Sequence, residues 1–106
     1  MDTNELKKWI TNYNIEFDIL NNFELAFQEY KTECQDEFND HFPHFEEKNL
    51  FKYMYKVALT LIGWGESEQE CVIASVRMRY NNHYAGEYRI VYSLNGEFID
   101  DFLVIE

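Results

Sequence analysis

Two histidines and five acids crowd into CQDEFNDHFPHFEE, from Cys34 to Glu47, with no lysine or arginine among them. Imidazole and carboxylate are good ligands for zinc, so His41 and His44, flanked by Asp40, Glu46 and Glu47, raise the question of a metal site. Pro43 stands between the two histidines and denies them a shared regular helical face. No cysteine joins them in sequence. These residues read as a polar corner between two helices, with no metal bound.

Adjacent carboxylates occur at Asp36-Glu37, Glu46-Glu47 and Asp100-Asp101, and paired carboxylates can serve acid–base chemistry. Twenty acids in 106 residues produce such pairs by chance, so they carry little weight. A nucleophilic Cys34 or Cys71 needs a low-pKa setting beside a base. Cys34 falls on an apolar helical stripe and reads as packed. The chain has no phosphate-cradling glycine loop, no nucleophile elbow and no HExxH. The expectation is a protein that is not an enzyme and carries no cofactor.

The elements that must position any site follow from periodicity. Asp2 or Thr3 caps a first helix, with Glu5 placed as in a capping box, and Leu6, Trp9, Ile10 and Tyr13 follow at helical spacing. From Tyr13 to Leu20 the pattern fits either a short strand (Tyr13, Ile15, Phe17 and Ile19 alternating with polar residues) or a continued helix. Asn21 or Asn22 is placed to cap a second helix, whose apolar stripe is Phe23, Ala26, Phe27, Tyr30, Cys34 and Phe38, and which Pro43 ends. A third helix is expected from near Phe45, with Lys48, Lys52 and Lys56 on one stripe. Residues 55 to 64 also alternate as a strand would.

The last third is strongly β. CVIASVRMRY sends Val72, Ala74, Val76, Met78 and Tyr80 to one face, and Cys71, Ile73, Ser75, Arg77 and Arg79 to the other. The three arginines Arg77, Arg79 and Arg89 thus line one sheet face. They could hold an anion, but Glu87 and Asp100 lie close enough in register to pair with them. His83 falls in a loop. Asn95-Gly96 predicts a two-residue hairpin with a type I′ turn. That register places Tyr92 opposite Ile99 and Ile90 opposite Asp101, leaving a carboxylate among apolar residues unless a bulge at Asp100-Asp101 relieves it. The expected architecture is α+β: one domain over residues 1–106, two or three N-terminal helices packed on a C-terminal antiparallel meander of three or four strands.

Composition sets the class. Hydrophobic residues make up 46% and aromatics 18%, enough for a real core, while four glycines and one proline leave little linker. Two distant cysteines are too few for a disulfide scaffold and are not spaced for zinc. No apolar run has the length of a signal peptide or membrane span, so a cytoplasmic protein is expected. The net charge of -11 repels nucleic acid and anionic lipid.

The charge is concentrated. Glu16 to Glu47 holds ten acids and one base, Lys31. Tyr30, Phe38, Phe42 and Phe45 are interleaved there. Acids around aromatic anchors suit capture of a basic protein, because charge raises the association rate and aromatics supply hot spots. The expected partner-binding residues are Glu29, Tyr30, Glu33, Asp36, Glu37, Asp40 and Phe42.

In size, acidity and a plan that ends in a hairpin meander (ECVIASVRMRY…GEYRIVYSLNGEFIDDFLVIE), the chain resembles the small acidic immunity proteins of bacterial toxin systems, including those of contact-dependent growth inhibition. The resemblance is one of overall type and carries no residue-level motif. It implies a stoichiometric inhibitor that covers the basic active site of a nuclease-type toxin with acidic side chains. Two other classes fit the composition. One is a cystatin-like or nuclear-transport-factor-like domain, an enzyme or small-ligand binder, with a pocket between helices and curved sheet. The other is a phage-encoded nucleic-acid mimic. A purely structural adaptor would need the charge only for solubility.

Overall fold

The computed structural model describes every residue from Met1 to Glu106. Three helices come first: α1 (Thr3–Asn12), α2 (Ile15–Glu33) and α3 (Gln35–His41). Four strands follow: β1 (Leu50–Ile62), β2 (Gln69–Tyr80), β3 (His83–Ser93) and β4 (Phe98–Ile105). They form one antiparallel meander in the order β1-β2-β3-β4, with the helices on one face. The α+β architecture matches the sequence expectation. No helix is long and apolar enough to cross a membrane.

Asp2 caps α1, its carboxylate accepting from the Glu5 N–H at 2.8 Å. Between α1 and α2 the chain breaks at Asn14, which takes a left-handed conformation (φ 53°) that asparagine tolerates better than most residues. Residues 15–20 are then helical, which settles the open alternative there. Ile15, Ile19, Phe23 and Phe27 recur every four residues and are all buried, so one unbroken helix serves them all. The expected cap at Asn21 or Asn22 does not exist. Asn22 instead donates back to the Asp18 carbonyl inside the helix.

The expected third helix from Phe45 is also overturned. After α3 and a short 3-10 turn the chain enters β1, thirteen residues long. Residues from Tyr53 to Ile62 include Val, Ile, Thr and two Tyr, which suit a pleated surface, and β1 pairs with β2 from Leu50 to Ile62 around a bulge at Tyr55. The bulge puts Lys52, opposite Met78, and Lys56, opposite Ser75, on different faces of the sheet. Lys52 lies on the covered side, where it pairs with Glu24 of α2.

The β2 faces fall as the alternation predicts. Val72, Ala74, Val76 and Met78 are fully buried beneath the helices. Across from them stand Tyr88, Ile90 and Tyr92 of β3.

The turns differ from expectation in an instructive way. Two residues of positive φ in succession, the need of a type I′ turn, occur at Asn81-Asn82, joining β2 to β3. At the next turn only Gly96 has positive φ (80°), and the Ser93 N–H donates to the Glu97 carbonyl at 2.9 Å, closing a three-residue loop. That loop displaces the register by one residue. A bulge at Ile99 then restores it, so Val91 faces Asp100 and Ile90 faces Asp101, as two-residue counting also gives. The bulge does not relieve Asp101. Its partner does, as described below.

Gly96 has a second constraint. A Cβ there would fall 2.3 Å from the ring of Tyr13, just beyond α1. Gly96→Ala should therefore cost about 2 kcal/mol or more, from both backbone strain and the collision. Gly65→Ala, also at positive φ but facing open space, should cost only the strain, about 1 kcal/mol. Urea denaturation midpoints of the two variants check the ordering.

Candidate functional site

The acidic face is built on α2 and α3. The buried row of α2 points its opposite side to solvent. A second row with the same spacing of four, Phe17, Asn21, Leu25, Glu29 and Glu33, is exposed along its whole length. At Cys34 the backbone leaves helical geometry (φ -122°, ψ 51°) and α3 begins. There Phe38 is buried, and Asp36, Glu37 and Asp40 face water. Cys34, expected to pack on the apolar stripe, is exposed at this junction.

Five of the seven expected partner-binding residues are thus exposed, Glu29 and Glu33 on α2 and Asp36, Glu37 and Asp40 on α3. None has a lysine or arginine within ion-pair distance. The nearest opposing group is His41, 4.0 Å from Glu37, which counts only when protonated. The segment's other acids are partly engaged: Glu24 pairs with Lys52, Glu46 with Lys48, and Asp18 accepts a buried hydrogen bond. Lys31, the segment's single base, does not neutralise the five. Its ammonium lies over the rings of Phe45 and Phe38, 5.2 and 5.7 Å from their centroids. Glu29 with Glu33, and Asp36 with Asp40, are like-charged neighbours four apart, each pair opposing its helix by a few tenths of a kcal/mol.

The two expected aromatic anchors fare differently. Phe42 is 2% exposed and is core, not an anchor. Pro43 turns the chain after α3, and Phe42 and Phe45 fold onto the end of the sheet, where both pack on Tyr80 at 5.3 Å. Phe42 also meets Phe27 edge-on at 5.8 Å. Tyr30 is half-buried against Phe38, and its hydroxyl is buried without a hydrogen-bond partner. Burial, and then the nearby Glu37 and Cys34, push its pKa up.

The apolar groups that do project from α2 are Leu25, 70% exposed, and Phe17. Sequence reasoning passed over both. The available signal was their offset of two from the buried row: no helix face can bury Phe23 and Phe27 and also Leu25.

The other candidates are dispersed. His41 and His44 sit on either side of the Pro43 turn, His44 with positive φ, and no three His, Cys, Asp or Glu side chains are grouped to hold a metal. Cys71 is buried, which raises its pKa and works against a reactive thiolate. Arg77, Arg79 and Arg89 do share the uncovered sheet face. Arg89 approaches Glu87 at 4.0 Å, while Asp100 is not an arginine partner and instead accepts from the Asp101 N–H.

Asp101 points inward beneath the helices, which a pocket-forming domain would require. The space is filled. Tyr88, fully buried, donates its hydroxyl to Asp101 at 2.7 Å, and Tyr92, 1% exposed, donates to Asp18 of α2 at 2.7 Å. None of the principal surface clefts is lined by any of these four residues.

Comparison with known proteins adds no relationship: no family model matches the chain, no curated protein matches it in sequence, and no solved structure matches it.

Two measurements follow from this geometry. Phe42→Ala should cost about 3–5 kcal/mol of stability, as truncation of a buried phenylalanine does, read from urea unfolding. Tyr88 and Tyr92 have pKa values raised far above the ordinary phenol, first by burial and then by hydrogen bonds to Asp101 and Asp18 respectively. Below about pH 10 both folded and unfolded chains keep these protons, and stability is undiminished. Above it the unfolded chain loses protons that the folded chain retains, so stability should fall by about 1.4 kcal/mol per pH unit for each tyrosine. Tyr92→Phe should remove one such increment from the slope measured between about pH 10 and 11.

Proposed function

We propose that this chain is a stoichiometric protein inhibitor, an immunity protein that neutralises a basic toxin of nuclease type by laying the acidic face of α2 and α3 over its active site. The main support is the set of five solvent-facing carboxylates, Glu29, Glu33, Asp36, Glu37 and Asp40, with no lysine or arginine partner of their own. Carboxylates left uncompensated and mutually repelling destabilise an isolated chain slightly, and a cationic partner relieves that repulsion. Glu29 and Glu33 stand about 6 Å apart along the helix axis. Together with the acids of α3 they take the place of substrate phosphates. Leu25 and Phe17, on the same exposed row, supply the apolar contact that charge alone does not. A phage-encoded nucleic-acid mimic directed at a host nuclease would use the same face, and only the partner would differ.

The test pairs this chain with basic nuclease-type toxin domains. A 1:1 complex and loss of nuclease activity are expected, with an association rate that falls steeply as salt is raised. Replacing the five carboxylates by Gln and Asn should slow association by about 10- to 1,000-fold at low salt. Leu25→Ala should instead speed dissociation. Equal association rates for the neutralised and native chains would overturn the proposal.

A further inference from the structure

The sheet has a second broad face, and nothing in the chain covers it. Its rim carries Phe51, Tyr53, Tyr84 and Phe102, with Phe51 59% and Phe102 48% exposed. Its middle, Ile73 half-buried and Cys71, Ser75 and Val91 buried, is already screened by the longer side chains around it, so the exposed area lies in the aromatic rim. A chain that ends its packing on one side of a sheet is left flat, and the dimensions record it. The molecule extends 44 × 29 × 20 Å with a radius of gyration of 15.3 Å, where a compact domain of this length has about 13 Å.

Its accessible surface is 7112 Å² for 12.9 kDa, where a folded monomer of that mass exposes about 6,300 Å². The excess, roughly 800 Å², is what one partner contributes to a standard protein–protein interface.

Charge identifies the occupant. Two copies of a chain of net charge -11 repel each other, and most strongly through the acidic helices. The open sheet face is the exception. It holds all three arginines of the chain, Arg77, Arg79 and Arg89, with Lys56 opposite Ser75, against Glu87 and Asp100. It is less acidic than the rest of the molecule and carries both signs, as a self-complementary contact requires.

Arg77 is held in place before any partner arrives. Its guanidinium lies 4.1 Å from the centre of the Tyr55 ring, and the Tyr55 hydroxyl donates to Glu87 at 2.6 Å. Pre-ordered tyrosine and arginine lose little entropy on docking and are favoured interface hot spots. The sheet edges are poorer routes. Lys56 on β1 and Asp100 on β4 charge them against strand addition.

We infer that this chain forms a two-fold symmetric homodimer by packing the open sheet faces of two copies together. The result is a sandwich of two sheets about 10 Å apart. Both acidic helical faces remain outward, one on each side, so the dimer neither requires nor blocks the inhibitory role proposed above.

Sedimentation equilibrium of the full chain alone, without any partner, tests this. At concentrations up to about 200 µM the mass should approach twice 12.9 kDa. Because screening weakens the repulsion between two anionic subunits, dimerisation should tighten several-fold between about 0.05 and 0.5 M salt. That is opposite in sign to the salt effect expected for a basic partner.

Phe102→Asp and Tyr53→Glu each place a carboxylate on the face at an exposed position, so the thermal melt of each monomer should stay close to the native one. Both should be monomeric. The Glu29→Gln/Glu33→Gln variant should remain dimeric. A native chain that stays monomeric at high salt overturns the inference, as does a dimer that survives both sheet-face substitutions. A monomer that instead binds single-stranded oligothymidylate through Tyr53 and Arg89, lost in Tyr53→Glu, would assign the face to nucleic acid and overturn it equally.

Discussion

The rotational setting of α2 on the sheet decides what this molecule shows to the outside. Four apolar residues at a spacing of four, Ile15, Ile19, Phe23 and Phe27, are buried against the inner face. Each contributes about 1.5–3 kcal/mol by leaving water. Two polar ties forbid rotation about the helix axis. Tyr92 reaches Asp18 near one end, and Lys52 reaches Glu24 in the middle. Both ties are short and come from different strands, so a helix turned by one residue would lose both and strand two partly buried charges. Once that angle is fixed, the outward row from Phe17 to Glu33 follows without further choice.

The same one-sided packing divides the molecule electrically. The helical layer collects most of the negative charge, and the arginines gather on the far side of the sheet. The division is built from strand alternation: residues 77 and 79 share a parity on β2, and residue 89 stands across from Ser75 on β3. The two contacts proposed above, of opposite salt dependence, would use opposite faces of the molecule, so neither would have to be broken for the other to form.

Much of this was legible in the sequence, and the failures have physical causes. The β2 faces, the Asp2 cap and the pairing of Ile90 with Asp101 follow from local rules, and they hold. The cap at Asn21-Asn22 failed because asparagine is an acceptable guest inside a helix whose apolar row continues through it. The third helix failed because the apolar residues from Phe51 to Ile62 fit both periodicities, and only pairing with β2, around a bulge that local sequence does not announce, selects the strand. The Asn95-Gly96 turn failed because Ser93 closes a wider loop, its N–H donating to the Glu97 carbonyl and its hydroxyl accepting from the Asn95 and Glu97 N–H groups. Of the candidate site, the five carboxylates were legible because charge concentration needs no fold to be seen. Phe42 was not, since its burial depends on how Pro43 aims the chain at Tyr80. Leu25 and Phe17 were legible in principle, once the buried row is drawn at a spacing of four.

The inward carboxylates bear on where function can reside at all. In a two-layer α+β domain the space between helices and sheet is the natural place for a ligand, and Asp18 and Asp101 both border it. Two full tyrosine side chains occupy that space here, and their hydroxyls satisfy the carboxylates that a ligand would otherwise meet. Trp9 closes the adjacent end, edge-on to Tyr92 at 5.9 Å, with its indole N–H donating to the Leu94 carbonyl at 2.9 Å. A small molecule could enter only by displacing buried aromatic groups and unpairing their hydrogen bonds, at several kcal/mol. With that space filled and its two carboxylates satisfied, what the domain leaves open to solvent is uncompensated charge on the helices and aromatic side chains on the rim of the sheet.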